Sequence, residues 1–405
     1  MAPQLKWPWL GVAIPTAIIT FISYNAHYFI LSNFVSLRGQ FIFEFSVTMI
    51  WFSYLSAIFT NPGRPSSISN NSELNNNKCN IKNLNKIKDT KFCHKCNNFK
   101  PERTHHCKTC NQCVLMMDHH CPWTLNCVGY NNFPHFIRFL LWIIISTSQL
   151  NWYFFKSVIH VWNEWNKVNI SFQRVEFFFL TILIPFNLFI WLTISILLIR
   201  SVNNQILHGR TQIEAWEMDR LETLFYHKKL VPLLIERIWD VYPFENTTER
   251  REEAKLLLKK SNDKKVRFES IINFPYDIGI RQNWEQSLGP IYLLLWPFNK
   301  PRGDGMRFST NDISRYEENL SIEDLLLTLP WPSDGGRKLV NLENTSVEQT
   351  FEDGEFVVRN RSSAVVVPSQ PDTQESASNI VINRSNWINQ WGEKLQDFGV
   401  DVDEE

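Results

Sequence analysis

Residues 91–132 read KFCHKCNNFKPERTHHCKTCNQCVLMMDHHCPWTLNCVGYNN, and their cysteine and histidine spacing decides how the chain is built. Seven of the eight cysteines fall here: Cys93, Cys96, Cys107, Cys110, Cys113, Cys121 and Cys127. Five histidines sit among them: His94, His105, His106, His119 and His120. Cys93/Cys96 and Cys107/Cys110 are C-x-x-C pairs, the spacing at which a tight turn aims two thiolates at one tetrahedral ion. Two such pairs predict two structural zincs. A stretch of about 35 residues cannot bury a core of its own, so metal binding must supply its folding free energy. An odd cysteine count dense with histidine disfavours disulfides. Thiolate ligands also favour a reducing compartment, which puts the segment in the cytosol.

Two tetrahedral zincs use eight ligands, while the segment offers twelve Cys and His side chains. At least one thiol and some imidazoles therefore remain for other work. Asp118-His119-His120-Cys121 sets a carboxylate, an imidazole and a thiol side by side. A thiol attacks as its thiolate, and a neighbouring imidazole lowers its pKa or takes its proton. A carboxylate beside that imidazole fixes its tautomer. Spacing alone leaves open which cysteine is spared.

On either side of this segment lie long runs without charge. They cover 7–37, 45–63, 139–155 and 177–199. A bilayer core takes about 20 apolar residues as a helix, so these read as four transmembrane helices. Phe136 and Ile137 extend the third around Arg138, which is expected to snorkel. Trp7, Trp9, Trp152, Trp162 and Trp165 suit the aromatic belts of membrane interfaces. Residues 286–299 form a shorter uncharged run with two prolines, too short to span. Glu44, near the end of the second span, reads as an interfacial acid.

Four spans put both termini on one side. The loop at 61–135 holds ten Lys/Arg between Arg64 and Lys108, so the positive-inside count agrees with a cytosolic loop. The expected units are 1–60 (helices 1 and 2), 61–135 (the cytosolic Cys-rich domain), 136–200 (helices 3 and 4), 201–300 (a cytosolic C-terminal domain) and 301–405 (a polar, largely flexible tail). Cys79 lies outside the cluster, and Asn169-Ile170-Ser171 fits a lumenal glycosylation acceptor. The whole chain of 405 residues has 41 basic and 41 acidic side chains and a mean hydropathy of −0.22. Zero net charge argues against a nucleic-acid partner. The soluble-looking average is the sum of apolar spans and a charged remainder.

The order C-x2-C, K-P-x-R, H-C-x2-C-x2-C, D-H-H-C-P-W and N-C-V-G resembles the Cys-rich domain of the DHHC protein S-acyltransferases. RING-type zinc modules have no place for D-H-H-C-P-W. The resemblance implies an all-α polytopic membrane protein. Its four transmembrane helices would carry a cytosolic two-zinc domain of short β-hairpins between helices 2 and 3. It implies one zinc on Cys93, Cys96, His106 and Cys113, and another on Cys107, Cys110, His120 and Cys127. Asp118, His119 and Cys121 are then left for catalysis.

Weaker signals continue the resemblance to about residue 300. Asn61-Pro62-Gly63 is similar to the family's Asp-Pro-Gly. Thr211-Gln212-Ile213-Glu214 is similar to Thr-Thr-x-Glu, with Gln212 in place of the Thr that contacts the active-site Asp in relatives. The stretch 275–284 resembles a motif whose asparagine, here Asn283, ties the tail to the helices. The ending, from Asn386-Trp387 to Asp401, is similar to a fungal endoplasmic-reticulum subgroup whose clients include chitin synthase. The implied reaction takes a long-chain acyl group from acyl-CoA onto Cys121, then onto cysteines of membrane-associated proteins. Ser146, at the family's chain-length position, would leave room for C18 chains.

Overall fold

A computed structural model describes residues 7–65, 92–164, 170–262, 266–336, 384 and 387–402. Cys79 and Asn169 lie outside the described residues. Each of the four long charge-free runs forms a helix over most of its length, because in a bilayer only a helix satisfies its own backbone polar groups. Helix α1 (Leu10–Ala26) runs on through a π-type turn at His27–Leu31. It is followed by α2 (Leu37–Phe59), α3 (Phe133–Glu164) and α4 (Ile170–Val202), the last ending in a second π-type turn at Asn203–Leu207. The four spans Leu10–Phe34, Leu37–Phe59, Phe133–Asn163 and Val175–Leu207 are long and apolar enough to cross a membrane.

Helix α3 is the hub: most of its apolar length is buried by the other helices, whereas most of the fourth span is exposed on the outside of the bundle. Lipid tails give helices no hydrophobic reason to associate, so polar pairs join them. Asn187 Nδ2 donates to Thr147 O at 2.9 Å and to Asn151 Oδ1 at 2.8 Å, and Ser46 Oγ lies 3.1 Å from Gln149 Oε1. Trp7, Trp9, Trp152 and Trp162 are exposed on the protein surface, as interfacial anchors are. Glu44 is half exposed and lies 2.7 Å from His27 Nδ1.

Arg138 departs from the snorkelling expectation. It is buried, and its guanidinium donates to the carbonyls of Leu294 (3.0 Å), Pro297 (2.8 Å) and Asn299 (2.5 Å). The uncharged run at 286–299 comes back to the bundle and offers these oxygens, so the cation is satisfied by backbone and not by water.

Beyond the membrane, α5 (Gln212–Tyr226), α6 (Leu230–Val241) and α7 (Thr248–Asn262) surround an apolar core of Leu221, Leu224, Leu230, Leu234 and Ile238. Leu230, Leu234 and Ile238 recur every four residues and so share one helix face. Helix α8 (Ile280–Leu288) leads back toward the membrane helices. The described parts of the segment after 300 are not a loose tail. Helix α9 (Ile322–Leu327) inserts Ile322, Leu325 and Leu326 into the core of α5–α7. Arg384 and Asp334 join Glu217 and Arg220 in a buried ion cluster, with Arg220 Nη2 2.6 Å from Asp334 Oδ2. Burial raises the Glu217 carboxyl, but Arg384 and Arg220 outweigh it and hold it at about 2. The isolated apolar residues of this region are its docking points, which average polarity conceals.

Candidate active site and metal centres

Three hairpins with strands of two or three residues lie within residues 92–128. They are β1/β2 (Phe92–Cys93, Asn98–Phe99), β3/β4 (His105–Cys107, Gln112–Val114) and β5/β6 (His119–Cys121, Asn126–Val128). In a strand, successive side chains leave on opposite faces. On β3, His106 therefore turns one way and Cys107 the other. On β5, His120 turns one way while His119 and Cys121 share the opposite face. Opposite His106 stands Cys113, and opposite His120 stands Cys127. The alternation interleaves the ligand sets and separates His120 from its two neighbours.

Two groups of donors result: Cys93, Cys96, His106 and Cys113, and Cys107, Cys110, His120 and Cys127. His106 Nδ1 lies 3.3 Å from Cys93 Sγ, 3.3 Å from Cys96 Sγ and 3.8 Å from Cys113 Sγ. His120 Nδ1 lies 3.8, 3.3 and 3.7 Å from the sulfurs of Cys107, Cys110 and Cys127. A tetrahedron with metal–sulfur bonds of about 2.3 Å has edges of roughly 3.5–3.8 Å. The spacing and the three-sulfur, one-nitrogen donor set both fit zinc. These are two Cys/His zinc-binding sites, each supplied with four protein ligands, which is the closed pattern of structural zinc.

The module is keyed to the membrane helices by short polar contacts. Asn61 Oδ1 accepts from Gly63 N at 2.9 Å, forming the turn that an Asp would form there. Leu115 N then donates to Gly63 O and Asn131 N to Pro62 O. Asn126 Nδ2 donates to the terminal carbonyls of α2, including Thr60 O at 2.9 Å. Gly11 of α1 packs on the turn that follows Cys121, where a Cβ would sit 1.9 Å from Pro122 O. On the side away from the membrane helices Arg103 forks onto Glu214, at 2.7 and 2.5 Å, and donates to Gly209 O. Its guanidinium lies over the rings of Tyr276 and Phe308. Thr211 and Glu214 cap α5 reciprocally, at 3.2 and 2.8 Å.

Asp118, His119 and Cys121 meet at the mouth of the bundle. His119 Nδ1 lies 2.8 Å from Asp118 Oδ2, and Asp118 is buried. Burial alone would push the His119 imidazolium down; the bond and charge of Asp118 and contact with Cys121 outweigh it and raise it to about 10. Burial raises the Cys121 thiol, but His119, the Thr124 hydroxyl and the Trp123 N–H bring it below its ordinary value. Gln212 does not replace the family's threonine side chain for side chain. Its backbone N–H donates to Asp118 Oδ1 at 2.9 Å, while its own buried Oε1 has no partner. Gln205 Nε2 approaches the same oxygen at 3.4 Å. Sequence reasoning missed Gln205, because only the π-type turn after α4 swings it toward Asp118. Asn283 Nδ2 donates to Ile206 O in that turn and to Asp277 Oδ1, at 3.2 and 2.9 Å.

A cavity of about 570 Å³ opens beside these groups. Cys121, His119 and Pro122 line one end, and Phe43, Val47, Ser146 and Leu150 line it between the helices. The cavity is overwhelmingly apolar.

Residues 86–219 match the family described as DHHC palmitoyltransferase. Over full length the chain is similar to palmitoyltransferase PFA4 of Saccharomyces cerevisiae, 48% identical with all of both chains covered. It is also similar to palmitoyltransferase PFA4 of Candida glabrata (47%) and of Eremothecium gossypii (46%), again covering both chains entirely. With these likenesses, two Cys/His zinc-binding sites and four membrane-spanning helices, the chain belongs to the DHHC palmitoyltransferases: it is a multi-pass membrane protein S-acyltransferase.

Proposed function

We propose that Cys121 carries the acyl group between a long-chain acyl-CoA and a protein thiol, with His119 as base and Asp118 orienting it. The observation behind this reading is a thiol in contact with an imidazole, itself held by a buried carboxylate, at one end of an apolar cavity. His119 takes the Cys121 proton, and the sulfur attacks the thioester carbonyl. The Cys121–acyl bond forms as the bond to the CoA sulfur breaks, and that sulfur leaves with the proton. A substrate cysteine then repeats the exchange, His119 taking its proton and returning it to Cys121. One thioester replaces another, so no nucleotide is required. Burying about 14 methylenes at ~0.8 kcal/mol each is worth roughly 11 kcal/mol, which accounts for a transfer site built on a membrane bundle.

Zinc held by the eight Cys and His ligands would supply the order of the hairpins. The module faces the cytosol, because its thiolates need a reducing side and its loop carries the positive excess. The likeness of the ending to a fungal endoplasmic-reticulum subgroup supports residence in that membrane, with membrane-associated proteins bearing cytosolic cysteines, chitin synthase among them, as the substrates. The test is labelling of purified enzyme with radioactive palmitoyl-CoA. Cys121→Ala should take up no label while binding two zincs; label surviving that change would sink the assignment.

A further inference from the structure

The cytosolic end of the cavity is closed partly by residues that lie more than 270 positions after Cys121. Val400 pairs antiparallel with Cys107, through Lys108 N to Gly399 O and Asp401 N to His106 O, both 2.9 Å. Asp401 also pairs with Lys95. Leu395, Phe398 and Val400 are buried against Val114, Met117, Ile213 and Trp216. Gly399, at φ +86°, rests on His120, where a Cβ would come within 2.5 Å of the histidine's own. Glu393 grips Arg200 with both oxygens, at 2.9 and 2.7 Å, and its carbonyl accepts from Trp216 Nε1. Arg200, Glu393 and Phe398 line the same cavity as Cys121.

Each zinc site ties one hairpin to the next, β1/β2 to β3/β4 and β3/β4 to β5/β6, but no ligand comes from α4 or α5 to orient β5 against them. The segment 393–401 touches all three. We propose that it is a positioning element of the transfer site. Gly399, against His120, and Val400, paired with the neighbouring strand β3, hold β5 with its His119 and Cys121 at its working distance from the cavity, and Glu393 sets Arg200 at the rim. This rests on Cys121 as the acyl-accepting thiol. Displacing a reacting group by about 1 Å can cost about a hundredfold in rate.

The test uses the full chain in lipid nanodiscs, with Asp401→Pro, which removes the N–H donated to His106 and the pair with Lys95, and Glu393→Gln, which weakens the grip on Arg200. Bound zinc, the KM for palmitoyl-CoA and the single-turnover rate of acyl-enzyme formation are measured together. The expected result is a fall of about tenfold or more in rate in at least one variant, with two zincs bound and KM unchanged. Full rate in both, or rate loss only in step with zinc loss or a raised KM, would overturn the proposal. If Cys121→Ala still labels under the same conditions, it is the nucleophile assignment that fails, not the strap.

Discussion

The zinc module and the helical unit of α5–α9 sit side by side, yet they are held together by different physics. Residues 92–128 form strands of two or three residues, and every ladder is a single hairpin. Their order comes from eight metal ligands and from asparagine and backbone contacts to α2. The α5–α9 unit has no metal cluster among its described residues, and it is ordered by the burial of Leu221, Leu224, Leu230, Leu234, Ile238 and Leu325. A metal-organised module can leave Cys121 packed against the membrane helices and facing the cavity, because its own order comes from its ligands. A helix core has no such freedom, since each buried side chain is part of the packing.

Breaking the metal side should have the largest effect. Cys107→Ser removes a zinc ligand whose ion contributes on the order of 10 kcal/mol to folding. Acyl labelling should vanish, zinc per chain should fall, and proteolysis should open residues 92–128. The helical unit should keep its circular-dichroism signal. Next comes the contact that joins the two regions. Arg103→Ala leaves Glu214 buried without its partner, a cost of about 3–5 kcal/mol. Both zincs should stay bound while labelling falls and thermal stability drops. On the helical side, Leu234→Ala should destabilise by about 2–5 kcal/mol, read by thermal unfolding. Zinc content and the labelling rate of the folded fraction should hold. If zinc fell in step with that core, the two regions would not be independently held.

Smaller effects sharpen the site itself. Ser146→Phe should shift labelling from C18 toward shorter acyl-CoAs by a factor of about 10–200, the worth of a methylene or more in a filled pocket. Equal use of both chains by the variant would remove Ser146 from the chain-length wall. Gln212→Thr should change the labelling rate least, about twofold or less, since the bond to Asp118 is donated by the backbone. A loss of about tenfold would show that the Gln212 side chain takes part.

Much of this was legible in the linear chain for two reasons. A bilayer demands about 20 apolar residues in succession, so the four spans stand out by their lack of charge. Zinc demands thiolates at turn spacing, so the pairs Cys93/Cys96 and Cys107/Cys110 stand out as well. Even the split of His119, His120 and Cys121 into one ligand and two free groups follows the two-residue period of a strand, once the strand is known. What only the tertiary structure decided are the contacts between distant segments. Arg138 meets the carbonyls at 294–299, Gln205 and the Gln212 backbone meet Asp118, and residues 393–401 return to strand β3 and His120. Such contacts leave no periodicity behind them. They depend on where two surfaces meet after folding, and a single glycine or valine in a polar stretch carries no mark of the partner it will touch.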